Sequence, residues 1–112
     1  MGNAYAALNQ TQEAKDYNLK AYELMRKLVG EKDPKSLDLL RNIGNVLYDG
    51  GKYTEAKNFY EDHLNFQLKR LSKTSPELIQ PYEDMAQVNE NLGSYQEALD
   101  FYLKAKALKN GD

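Results

Sequence analysis

The chain repeats itself with a period of 42 residues, and that period limits its fold more than any single motif does. Laying residues 34–70 on residues 76–112 without a gap matches Pro34 with Pro76, Val46 with Val88, Gly51 with Gly93 and Tyr53 with Tyr95. Further along, Glu55 meets Glu97, Ala56 meets Ala98, Phe59 meets Phe101 and Tyr60 meets Tyr102. The same shift carried toward the amino end sets Gly2 and Asn3 on Gly44 and Asn45, and Glu13, Ala14 and Lys15 on Glu55, Ala56 and Lys57. The reading is one domain, 1–112, made of a truncated first unit (1–33) and two full units (34–75 and 76–112).

Inside each unit the apolar residues recur at steps of three and four, as Leu37, Leu40, Ile43 and Leu47 do, followed by Tyr53, Ala56, Tyr60, Leu64, Leu68 and Leu71. Each unit is therefore a pair of antiparallel helices. Asp33-Pro34 and Ser75-Pro76 are helix starts, an oxygen to cap the free amides followed by a proline that loses nothing in the first turn. Gly51 and Gly93 stand where the first helix of each pair must stop. Pro81, six residues into its helix, either bends that helix or marks its true beginning. A helix pair this small cannot bury its own apolar faces, but stacked pairs share a continuous core, which predicts an all-α solenoid of about two and a half to three units. Ala14, Ala56 and Ala98 recur opposite Gly2, Gly44 and Ala86, so small residues let paired axes approach closely.

Candidate chemistry is sparse. Gly50-Gly51-Lys52 lacks the spacing and the strand-to-helix setting of a phosphate-binding loop and reads as a helix turn. His63 is the one histidine, and its helical neighbours Glu61 and Asp62 point in other directions, so a residue packed between helices is expected, not a catalyst or a metal ligand. With no cysteine and a net charge of -2 the composition supports neither a thiolate site nor a nucleic-acid surface. No apolar run is long enough to span a membrane and no signal segment opens the chain, which makes a cytoplasmic protein the expectation. No cofactor and no enzymatic activity are expected.

The segments "GNAY" (2–5), "RNIGNVLYDGGKYTEAKNFY" (41–60) and "MAQVNENLGSYQEALDFYLKAKAL" (85–108) together resemble tetratricopeptide repeats. The long period, with "GEKDP" and "KTSP" between units, is similar to the repeats of kinesin light chains. The first unit departs from the pattern, with Asn9 and Thr11 in place of the turn glycine and the aromatic. The last unit ends on Leu99, Phe101, Tyr102, Leu103 and Leu108 without a polar capping helix, which predicts exposed apolar surface and weak self-association.

The resemblance implies a protein-interaction scaffold whose first helices line a concave groove that holds a peptide. By register the groove residues are Asn3 from the first unit, then Asp38, Arg41, Asn42, Asn45, Tyr48 and Asp49, then Gln80, Glu83, Asp84, Gln87, Glu90 and Asn91. In relatives that clamp acidic chaperone tails, asparagines act beside lysine and arginine. Here Asn3 and Asn42 match, but Gln80 and Asp84 fall on the cationic positions; in the other register Arg41 and Asn45 match, and Asp84 replaces an asparagine. The expected ligand is therefore a basic or neutral peptide, extended or helical, with Asn42 at the position of a cargo-contacting asparagine in kinesin light chains. The alternative is a structural fragment of a longer array that self-associates through its ends.

Overall fold

A computed structural model describes the backbone of residues 3–110 and the side chains of residues 10–110; Gly2, one of the small residues expected at a helix crossing, lies outside it. Its elements are α1 (Asn3–Val29), α2 (Pro34–Asp49), α3 (Tyr53–Arg70), a 3-10 turn at Pro76–Leu78, α4 (Ile79–Asn91) and α5 (Tyr95–Lys109). All of the regular structure among the described residues is helical. Each helix packs on the next in sequence, α3 also bridging the two complete pairs, so the chain forms a slab with extents of 48 × 37 × 16 Å.

The helix ends follow from local chemistry. Asp33 accepts the Lys35 amide at 2.9 Å and Ser75 accepts that of Glu77 at 3.3 Å, each oxygen satisfying a donor that the first turn leaves free. At the other end Gly51 and Gly93 adopt φ of +78° and +82°, the left-handed region closed to most side chains. The chain then folds back on itself: the Lys52 amide donates to Leu47 at 2.8 Å and the Ser94 amide to Asn89 at 2.8 Å, in equivalent caps of the two units. Gly30 plays the same part after α1.

The core runs through both complete pairs. Leu37, Ile43, Leu47, Ala56, Leu78, Ala86 and Val88 are wholly buried, and each large side chain among them contributes roughly 1.5–3 kcal/mol by leaving water. Gly44 is the tightest point: a Cβ there would lie 2.7 Å from two ring carbons of Tyr60. The small residue in α2 thus makes room for the Tyr60 ring of α3, a more specific reason than the close approach of axes that the sequence suggests.

Two expectations change. The first unit contains no turn, because Asn9, Gln10 and Thr11 supply no left-handed glycine and α1 runs unbroken through them for 27 residues. Pro81 does not begin its helix. The 3-10 turn occupies Pro76–Leu78 and α4 starts at Ile79, so Pro81 falls in the first turn, where its missing N–H costs no hydrogen bond. The exposed apolar surface expected on the last unit is present: Leu99, Tyr102 and Leu103 are 51%, 38% and 53% exposed, and Tyr95 beside them is 69% exposed. Of the residues at the same positions in the second unit, Tyr60 is 4% exposed, its ring against Gly44 and its hydroxyl on Asn45 of α2.

Candidate functional site

The outward stripe of α2 carries Asp38, Asn42, Asn45 and Asp49, and the equivalent stripe of α4 carries Gln80, Asp84, Gln87 and Asn91. These positions recur at three and four residues, so each set shares one helix face. Asp38, Asn42, Asp49, Gln80, Gln87 and Asn91 are exposed, while Arg41, Asn45 and Tyr48 are half-buried. Asn3 belongs to the first turn of α1, and its side chain lies outside the described residues.

Two ties hold the stripes side by side. Arg41 donates to both carboxylate oxygens of Asp84, from Nε at 2.6 Å and from Nη2 at 3.2 Å. Two helical turns further on, Asn91 Nδ2 donates to the Tyr48 hydroxyl at 2.6 Å. Gln80 Nε2 adds a third hydrogen bond to Asp84 at 3.0 Å. Asn45 Oδ1 accepts the Tyr60 hydroxyl at 2.6 Å, and burial raises the Tyr60 pKa strongly.

The ties alter the electrostatics expected from five groove carboxylates. Asp84 is buried and neutralised by Arg41, so neither charge is offered to a ligand. Glu83 and Glu90 are the counterparts of Arg41 and Tyr48, but they turn to α5, where Glu83 pairs with Lys109 at 2.7 Å and Glu90 accepts the Tyr102 hydroxyl at 2.9 Å. Asp38 and Asp49 remain: among the described residues neither makes a hydrogen bond or an ion pair, and both are exposed.

One end of the groove opens into a cleft of about 410 Å³ between α2, α3 and the start of α4, lined by Asp38, Arg41, His63, Gln67, Arg70 and Gln80 among others. His63 forms part of its wall and is 3% exposed. Desolvation pushes its pKa down to about 4, with Arg41 acting in the same direction against the opposing pull of Asp84 and Asp38. Its Nε2 lies 3.4 Å from Gln67 Nε2, and its Nδ1 has no hydrogen-bond partner. This fits the packed histidine expected from sequence. Gln67 and Arg70 line the cleft as well and are not among the residues that the repeat register assigns to the groove. The available signal was a pair of polar residues, His63 and Gln67, four apart on the buried face of α3, where the other units carry Ala21 and Ala105, then Met25 and Lys109.

No cluster of three or more metal-binding side chains exists among the described residues, and no helix there is long and apolar enough to cross a membrane. The sequence profile of the tetratricopeptide repeat matches residues 1–69, and a second profile of the same description matches residues 79–112. The chain belongs to the tetratricopeptide repeat family. Such repeats generally mediate protein–protein interaction and are typically non-catalytic scaffolds. Among solved structures, this tetratricopeptide chain is similar to the nearly identical TPR-like repeats of a Podosopora anserina protein described as a kinesin light chain, with a TM-score of 0.81 at 20% identity over 96% of this chain and 52% of that one. A variant of the same protein carrying one substitution gives a TM-score of 0.81 at 20% identity, over 96% and 51% of the two chains. The chain therefore spans about half the length of these structures, and the likeness is one of fold. Among curated proteins none matches the sequence.

Proposed function

We propose that the chain is a non-catalytic interaction module that holds a basic or neutral peptide along α2 and α4. The observation that carries this reading is the charge left over in the groove: Asp38 and Asp49 are exposed and unpaired among the described residues, whereas the one groove arginine is already neutralised by Asp84. The exposed amides of Asn42, Gln80, Gln87 and Asn91 lie on the same two stripes and can satisfy the backbone of a bound segment, with Asn45 half-buried beside them. No cofactor enters the reading.

The geometry narrows the ligand further. Asp38 and Asp49 stand eleven residues apart on one helix, a separation of roughly 16 Å at 1.5 Å per residue. An extended peptide covers that distance in about five residues at 3.3 Å each. Two lysines or arginines on one side of an extended segment, four or six positions apart since its side chains alternate, or eleven apart in a helical one, would meet both carboxylates.

The experiment is a fluorescence titration with labelled peptides that carry two lysines either adjacent or four or six apart, and an acidic peptide as control. The spaced basic peptide should bind about tenfold more tightly than either of the others, with affinity falling as salt rises. Asp38→Lys should remove that advantage while the helical circular dichroism stays unchanged. Equal affinity for basic and acidic peptides would overturn the reading.

A further inference from the structure

Consecutive second helices are tied by a lysine that reaches forward to a glutamate of the next unit. Lys15 Nζ lies 3.5 Å from Glu55 Oε2, and its repeat equivalent Lys57 lies 3.5 Å from Glu97 Oε2. The third lysine position is Leu99, which is 51% exposed. Around it Tyr95 is 69% exposed, Tyr102 38% and Leu103 53%. With Lys106 these residues recur at steps of three and four, the seam spacing of paired helices, and they form one largely exposed stripe on α5, met from α4 where Glu90 accepts the Tyr102 hydroxyl.

We propose that this stripe is a homodimer contact, in which α5 packs antiparallel against α5 of a second copy about a two-fold axis near Leu103. The broken ladder argues against a continued head-to-tail stack. A second copy docked by its α1 would offer Glu13, the counterpart of Glu55 and Glu97, and Leu99 cannot answer a carboxylate. The same mismatch would meet another helix pair added in register.

The charges of α5 select the orientation. Its acids, Glu97 and Asp100, lie in the first half, and Lys104, Lys106 and Lys109 lie in the second. Antiparallel pairing on Leu103 sets Asp100 opposite Lys106 of the second copy, and the two-fold axis repeats the contact; parallel pairing would set like charges together. A contact this short falls below the roughly 800 Å² per partner of a stable complex, so association is weak and concentration-dependent. It leaves the groove open on each copy and does not rest on what the groove binds.

Sedimentation equilibrium on the whole chain up to about 1 mM tests it. The expected result is a monomer–dimer equilibrium that goes no further. Leu99→Lys, which installs the residue of the other two units at an exposed position, should weaken dimerisation at least about tenfold. Asp100→Lys should weaken it as well, and adding Lys106→Asp should restore it, with circular dichroism confirming intact helices throughout. A wild-type chain that stays monomeric, a series of larger oligomers, a dimer indifferent to Leu99→Lys, or a dimer abolished by Leu24→Lys on α1 would each overturn the proposal. So would a double charge swap that fails to recover what Asp100→Lys loses.

Discussion

Arg41 and Asp84 stand 43 residues apart in the chain, yet the Arg41 Nε lies 2.6 Å from the Asp84 Oδ2, joining the first helices of adjacent units. The pair is unequal in depth. The Asp84 side chain is 6% exposed and that of Arg41 31%, so removing either partner leaves a different problem behind.

Arg41→Ala leaves a buried carboxylate with only Gln80 to answer it, and should cost about 3 kcal/mol in a urea unfolding experiment. Asp84→Ala leaves a guanidinium that can still reach water, and should cost about 1 kcal/mol. The reverse order would show that Asp84 is better solvated than its burial indicates. Replacing both with apolar residues, Arg41→Met with Asp84→Leu, should cost less than Arg41→Ala alone.

His63 gives the fold a pH dependence of definite sign. Its pKa is about 4 in the folded chain, against an ordinary value of 6.5, because burial disfavours the imidazolium. Between those values the unfolded chain binds the proton and the folded chain does not, so stability is full above about pH 6.5 and falls as the pH drops toward 4. The loss amounts to about 3 kcal/mol at most, at 1.36 kcal/mol for each pKa unit. His63→Gln should flatten urea midpoints across that window relative to the wild type; parallel curves for the two proteins would remove His63 as the cause.

Gly44→Ala places a methyl group 2.7 Å from the Tyr60 ring, which is itself 4% exposed and cannot swing into solvent. The expected cost is about 1–3 kcal/mol, from overpacking alone. In a double-mutant cycle with Tyr60→Leu the two losses should be less than additive, because the smaller side chain removes the clash.

Gly51→Ala tests conformation and not space. Nothing lies within 4 Å of a Cβ there, and φ is +78°. The predicted loss is about 1–2 kcal/mol. Gly51→Asn should lose less, since asparagine tolerates the left-handed region better than alanine.

The parts of this fold that can be read in the sequence are those decided within a few residues. Asp33 and Ser75 cap their helices because the acceptor and the free amide are two positions apart, and Gly51 and Gly93 end theirs because the turn itself demands a positive φ. Periodicity likewise assigns Asp38 and Gln80 to one outward face. It does not say which flank of that face a side chain leans toward, and the flank decides the electrostatics. Arg41 leans to the next unit and finds Asp84 of α4, whereas its counterpart Glu83 finds Lys109 of α5 in its own unit. The expected acidic groove thereby loses Asp84 and Glu83 to cationic partners and keeps Asp38 and Asp49, with Glu90 held by a neutral hydroxyl. The continuity of α1 is half legible: Asn9 visibly replaces the turn glycine, but the repeat register still reads the segment as a helix pair where the chain makes one unbroken helix.

The histidine wall of the cleft has a practical consequence. Since His63 is the chain's one histidine, its imidazole C–H protons give a pair of NMR resonances that need no assignment, from a ring flanked by Asp38 and Arg41 at the end of the groove. A ligand that settles over Asp38 shifts those resonances, and one that docks on the outer face of α5 leaves them still. The protein thus carries its own spectroscopic reporter, able to tell occupancy of the groove from pairing of its copies in a single titration.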